Sequence, residues 1–248
     1  MKQQIGQGFE GLEDRTLLAA AVFNAATGTL TVTGDADSED IFVYGTGNAG
    51  EVRVTIDDGS FFDYGTFTGV KHIVINGNAG NDNIEVFDVV TSGKLTVNGG
   101  LGADDISLYS YGLDTTIGGN VSLNGGGQSF DDVEIVAGPY GDLNIGGQVV
   151  MTSGAYGNGI YTDEANAAYG QHGDVTIAGS VTMNTTDPYG FGAEMEIETN
   201  GYGDIRIGGS VTMNGGNGDD DFAIHSYGAY GDITIDGKVT MNGGAGSD

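Results

Sequence analysis

The sequence predicts an all-β fold, a right-handed parallel β-solenoid with coils of about 28–32 residues and a less regular β region at its N-terminal side. Three observations predict it. The first is punctuation: 48 of the 248 residues are Gly and only 2 are Pro, without the strict third-residue period of collagen. The second is alternation. Leu30-Thr-Val-Thr33, Val52-Arg-Val-Thr-Ile56, His72-Ile-Val-Ile75 and Leu95-Thr-Val97 show period two and end in Gly, Asn or Asp, which is the strand-and-turn signature. The third is an internal repeat, which must be sought before any local reading because it decides the whole architecture.

Taken in order, the chain divides into residues 1–20, 21–90 and 91–248. Almost nothing reads as helix; the best stretch is Leu17 to Ala26, short and near the start. Residues 21–90 are strand-like but irregular, either a small β domain or the first coils, with a boundary near Val90–Gly93. From there the repeat is explicit. Asp142-Leu-Asn-Ile-Gly-Gly-Gln-Val-Val-Met151 matches the segments opening at Asp174, Asp204 and Asp232, with a degenerate copy at Asp114 and an older one near Lys94.

Each copy holds three short strands, typified by Ile233-Thr-Ile235, Val239-Thr-Met241 and Phe222-Ala-Ile224. Residues i and i+2 of a strand point to one side. Stacking therefore aligns Ile117, Ile145, Ile177, Ile207 and Ile235 in one row, Val121 to Val239 in another, and Leu123, Met151, Met183, Met213 and Met241 in a third. One repeat cannot bury these side chains alone, whereas stacked neighbours form a continuous core. Right-handed connection is the rule for parallel strands. Stacked hairpins or a β-sandwich are the competing architectures, since Gly-Gly between the first two strands also suits a hairpin. Asn98, Asn124, Asn184, Asn214 and Asn242 follow the second strand and are expected to form a hydrogen-bonded ladder.

Composition narrows function. Lys and Arg total 7 against 35 Asp and Glu, a formal charge of −28. Such a chain repels phosphate backbones, which excludes nucleic acid as a partner. No run approaches the roughly 18 apolar residues of a transmembrane helix. The absence of Cys removes disulfides, zinc–thiolate sites and a Cys nucleophile. Catalysis has little support: His72, His172 and His225 lie in unrelated contexts, and no Ser-His-Asp or metal-ligand His spacing occurs. Arg206, at an outward strand position, is the best lone basic candidate, and pairs such as Asp219-Asp220 are too common among 35 acids to decide anything. The chain is expected not to be an enzyme. Tyr140, Tyr202 and Tyr230 precede Gly-Asp, with Tyr111, Tyr169 and Tyr189 in comparable loops. They suit a packing row, or alternatively a surface that stacks on sugar rings.

Two acidic sets are metal candidates. Gly99-Gly-Leu-Gly-Ala-Asp-Asp-Ile-Ser107 and Gly215-Gly-Asn-Gly-Asp-Asp-Asp-Phe-Ala223 fit the pattern G-G-x-G-x-D-x-U-x. Gly77 to Glu85 fits with one Gly replaced, and Gly243 to Asp248 is the first six residues of another. These resemble the hemolysin-type (RTX) calcium-binding repeats. The resemblance implies Ca2+ held by the sixth-position residues, Asp82, Asp104, Asp220 and Asp248, with Ile84, Ile106 and Phe222 entering the core. The family's repeats run in tandem every nine residues, whereas these lie about one coil apart or more, and two intervening copies are degraded (Gly125 to Asp132 and Thr185 to Glu194). A standard RTX β-roll is therefore not expected; Ca2+ between stacked coils, or plain tight corners, are the two readings. The second set is the Asp that opens each repeat, at Asp114, Asp142, Asp174, Asp204 and Asp232. Like charges about 5 Å apart repel unless screened or bridged by cations.

Phe9-Glu-Gly-Leu-Glu-Asp-Arg-Thr-Leu-Leu-Ala-Ala20 resembles the short planctomycete extracellular motif, approximately F-E-x-L-E-x-R-x-L-L-[AS]-A. That resemblance implies export to the cell surface or envelope. The expectation is thus an exported structural or adhesive repeat protein, calcium-bound, that stacks on itself end to end or on a surface polysaccharide or protein. The alternative is a carbohydrate-binding module or polysaccharide-degrading enzyme on the same scaffold.

Overall fold

The computed structural model describes residues 19–59, 61–126, 130–162, 172–187, 189–200, 202–227 and 231–248. The expected export motif, Tyr169 and Tyr230 lie largely or wholly outside them. The fold is all-β. The N-terminal strands are β1 (Ala20–Asn24), β2 (Thr29–Thr33), β3 (Asp40–Gly45), β4 (Glu51–Asp57), β5 (Phe61–Thr68), β6 (His72–Ala79) and β7 (Asn83–Phe87). Then follow β8 (Val90–Thr91), β9 (Leu95–Leu101), β10 (Asp105–Ser110), β11 (Thr115–Ile117), β12 (Val121–Asn124), β13 (Asp132–Ala137), β14 (Leu143–Ile145), β15 (Val149–Ser153) and β16 (Gly157–Thr162). The last are β17 (Val175–Ile177), β18 (Val181–Thr185), β19 (Glu194–Thr199), β20 (Ile205–Ile207), β21 (Val211–Asn214), β22 (Asp221–Ser226), β23 (Ile233–Ile235) and β24 (Val239–Asn242).

These strands make three long, mainly parallel sheets. The first has the order β1-β2-β6-β9-β12-β15-β18-β21-β24, the second β22-β19-β16-β13-β10-β7-β3-β4-β5, and the third β23-β20-β17-β14-β11-β8. The copies opening at Asp114, Asp142, Asp174 and Asp204 each give one strand to each sheet. Register follows the sequence match: Ile117 faces Ile145, then Ile177, Ile207 and Ile235 along the third sheet. Met151 faces Met183, Met183 faces Met213, and Met213 faces Met241 in the first. The older copy near Lys94 takes its place, with Leu95 opposite Val121 and Val97 opposite Leu123.

The first two sheets run without a break through the residues flanking Val90–Gly93, because Ile73 pairs with Leu95 and Ile84 with Ile106. Antiparallel pairing is confined to β1 with β2 and to β3, β4 and β5. The Leu17–Ala26 segment corrects the sequence reading: its described part is not helix but β1. The Asn24 side-chain oxygen accepts the Ala26 N–H at 3.0 Å, and the Gly28 N–H donates to the Asn24 carbonyl at 2.8 Å. Gly28, at φ 68°, turns the chain back so that β1 pairs with β2. A local turn thus overrides a weak helical preference.

The core is the inward row of each sheet. Val181, Met183, Met195, Ile197, Ile205 and Ile207, all from neighbouring strands of three sheets, are fully buried. Burying such side chains stabilises by about 1.5–3 kcal/mol each. One copy departs from the rule: Asn158 of β16 occupies the inward position between Val133 and Met195. Its Nδ2 donates to the Asn184 carbonyl at 2.8 Å, which satisfies part of the buried amide.

Candidate functional site

The motif carboxylates form a row, buried except at the exposed Asp248, at the turns that enter the second sheet. Asp82, Asp104, Asp131 and Asp220 each immediately precede a strand of that sheet, and Glu39 precedes β3 in the same way. One oxygen of each motif Asp accepts a backbone N–H from the preceding copy: Asp82 from Glu39 at 3.0 Å, Asp104 from Asp82 at 2.9 Å, and Asp131 from Asp104 at 3.1 Å. Asp220 accepts from Ala193 at 2.9 Å, and Asp248 accepts from Asp220 at 3.1 Å. Short charge-assisted bonds of this kind are stronger than neutral ones. Asp131 and Asp187 lie in the two degraded copies. Asp131 keeps its place in the row, whereas the buried Asp187 closes its own loop by accepting the N–H groups of Tyr189 and Gly192.

The other oxygen explains the first Gly of the motif. A Cβ added at Gly77, Gly99 or Gly215 would collide with the second carboxylate oxygen of Asp82, Asp104 or Asp220. The Asp therefore folds back onto its own Gly, and only a residue without a side chain fits. Those second oxygens, with Oε2 of Glu39, are buried and meet no hydrogen-bond donor among the described residues. Burial pushes the Asp104 carboxyl up to about 7 and raises those of Asp82, Glu39 and Asp220. As a donor set the row fits Ca2+ in kind: carboxylate oxygens stand beside Gly carbonyls such as that of Gly99 next to Gly77 and that of Gly243 next to Gly215. One oxygen of each Asp is already committed to the backbone.

The second acidic set forms another row with the opposite sense. Asp114 accepts the N–H of Asp142 at 3.0 Å, Asp142 that of Asp174 at 3.1 Å, Asp174 that of Asp204 at 2.9 Å, and Asp204 that of Asp232 at 2.9 Å. These carboxylates are exposed or half-exposed. The Asn row runs along the first sheet: Asn242 donates to Asn214 at 2.7 Å, Asn214 to Asn184 at 2.9 Å, and Asn98 to Asn76 at 3.1 Å. Thr152 interrupts it opposite Asn124 and Asn184, and Asn184 turns to the Met151 carbonyl instead.

The outward face of the second sheet holds groups that reading along the chain does not bring together. Register places Asp105, Asp132 and Glu194 in one row, and Glu134 and Glu196 in the next, with Gly157 and Gly159 between them. Burial, then the charges of Asp132 and Asp105, pushes Glu134 up to about 7; Asp105 and Asp132 are raised mainly by burial, and Glu196 by burial and then by Glu194. A Cβ at Gly159 would collide with the Tyr161 ring and hydroxyl, so that side chain lies over the glycine. Tyr44, Phe87 and Tyr109 stack at 5.3 and 5.0 Å on the same sheet, and the Tyr109 hydroxyl donates to Glu85 at 2.7 Å. Glu196, Glu198 and His225 converge, with ligand atoms within 4.8 Å of one another. The signal was present in the sequence as Glu196-Ile-Glu198, but aligning it with His225 needs the strand register.

The remaining candidates are dispersed. His72 Nδ1 accepts the Lys94 N–H at 3.1 Å, and His172 lies 3.5 Å from Asp174. Arg206 is exposed in the middle of β20. Asp219 and Asp220 diverge: the exposed Asp219 accepts the Ser247 N–H at 2.8 Å while Asp220 is buried in the first row. Tyr111, Tyr140 and Tyr189 are exposed. Tyr189 belongs to a patch with Phe130, Tyr156 and Phe191, whose rings meet Phe130 at 6.5, 5.5 and 5.6 Å respectively. No family model, curated protein or solved structure matches the chain.

Proposed function

We propose that the chain is a right-handed parallel β-solenoid with one coil per repeat, exported to the cell surface or beyond, where it serves as a structural or adhesive scaffold stiffened by Ca2+. The observation that carries this reading is the in-register stacking of successive copies, in which two rows of Asp carboxylates tie each copy to the next through the backbone. Such side chains serve cohesion along the stack. Export rests on the Phe9–Ala20 resemblance. The buried unpaired oxygens of Asp82, Asp104 and Asp220 support the ion. A cation that binds only the folded state stabilises it by mass action, and extracellular sites with weak affinity in the millimolar range suffice.

Thermal melting of the purified protein at pH 8, in EGTA and in millimolar Ca2+, tests the calcium claim. A higher melting temperature in Ca2+ than in equal Mg2+ is expected; identical curves overturn it. The second reading, a carbohydrate-binding scaffold, is favoured by the exposed Phe130, Tyr156, Tyr189 and Phe191 rings. A glycan array tests it: binding lost on Tyr189→Ala supports that reading, and a blank array removes it.

A further inference from the structure

We propose that Glu196, Glu198 and His225 form a surface site for a borderline divalent metal ion of the Zn2+ class, separate in position and in chemistry from the buried Asp row. The site follows from strand geometry. In β19, Met195 and Ile197 point into the core, so Glu194, Glu196 and Glu198 point outward. The neighbouring β22 pairs in parallel with β19 and sets His225 directly opposite Glu198. The two carboxylates are thus next neighbours along one face of one strand, and the imidazole is the cross-strand neighbour of the second.

The side chains converge. Nε2 of His225 lies 2.9 Å from Oε2 of Glu198, and one ligand atom from each of the three residues lies within 4.8 Å of the others. Around an ion with bonds of about 2.0–2.2 Å, tetrahedral ligands stand roughly 3.3–3.6 Å apart. Small rotations of Glu196 and His225 therefore close the set. The Glu198 side chain is 11% exposed, an acid placed on the sheet with the imidazole as its hydrogen-bond partner. The His225 ring is met edge-on by Tyr227 at 4.3 Å, and the Tyr161 hydroxyl stands 3.5 Å from Oε2 of Glu196. These rings border the site on two sides, and supporting groups of this kind hold ligands in place.

Donor type selects the ion. The Asp row offers only oxygen, which suits Ca2+. Here an imidazole joins two carboxylates, a set that suits Zn2+ and its first-row neighbours. Three protein ligands leave further positions open to water or to a group on a partner. The inference does not depend on the scaffold reading: the three residues meet through strand register whatever the protein does.

Isothermal titration of metal-free protein with Zn2+, in excess Ca2+ to occupy oxygen-only sites, tests it. One Zn2+ per chain is expected, with affinity lowered at least about tenfold by His225→Ala and by Glu196→Gln, and unchanged by His172→Ala. The Gln variant keeps size and shape, and the melting of each variant in EDTA checks that it folds. Absence of stoichiometric Zn2+ binding overturns the proposal. So does Zn2+ binding that survives both substitutions, or that excess Ca2+ abolishes. Loss of the Ca2+ melting shift with the Zn2+ site intact would count against the calcium reading alone.

Discussion

The pairing of a buried carboxylate with its own glycine explains a whole motif at the scale of single residues. Asp104 sends one oxygen to the Asp82 N–H and presses the other onto Gly99, where no donor meets it. Burial of that oxygen holds the carboxyl near 7, far above its ordinary value. The folded protein then binds a proton that the unfolded chain has already released. The resulting stabilisation is complete below the ordinary carboxylate pKa, near 4, and is lost as the pH rises through about 7. In metal-free buffer the protein is expected to be more stable at pH 5 than at pH 8. Asp104→Asn should remove part of that difference, on the order of 2 kcal/mol. Urea unfolding at both pH values, in EDTA, measures it; an unchanged difference in the variant contradicts the account. The pattern of Gly and Asp was legible in the sequence. Its meaning was not, since both a calcium corner and a hydrogen-bonded corner need the same residue types.

At the scale of the strand, apolar residues have different energetic weight according to the face of the sheet they occupy. Met183 is fully buried between Met151 and Met213, whereas Val150, on the outward face of β15, is 39% exposed. Met183→Ala is expected to destabilise by about 2–5 kcal/mol, because it leaves a cavity among packed neighbours. Val150→Ala should cost about 0.5 kcal/mol or less. Chemical denaturation of the two variants compares them, and equal losses would contradict the packing described here. Strands β11 to β15 and β17 to β24 could be read from the sequence because their copies repeat the same alternation and the same Gly breaks. Strand β1 could not, because its fate rests on the Asn24 and Gly28 turn and on pairing with β2. The Asn158 substitution in the inward row was equally hidden, since a polar residue between Val133 and Met195 breaks the alternation that marks the other copies.

For the whole molecule, charge and stacking oppose each other. A formal charge of −28 spread over copies in register sets carboxylates above one another along the second sheet and at the turns that enter the third. Repulsion in such rows weakens with salt and is cancelled more efficiently by divalent ions. The Ca2+ melting shift proposed above should therefore be larger at pH 8 than at pH 5, because protons compete for the same buried oxygens. The sequence by itself determined most strands of the repeated copies and their inward rows, since period-two alternation and a repeat near 30 residues leave few ways to bury Ile, Val and Met. Tertiary structure alone decided which acids are buried, which direction each carboxylate row runs, and that Glu196, Glu198 and His225 meet. The physical reason is that core composition is a property of one strand, whereas a site is a property of the register between strands, and register is set by every copy at once.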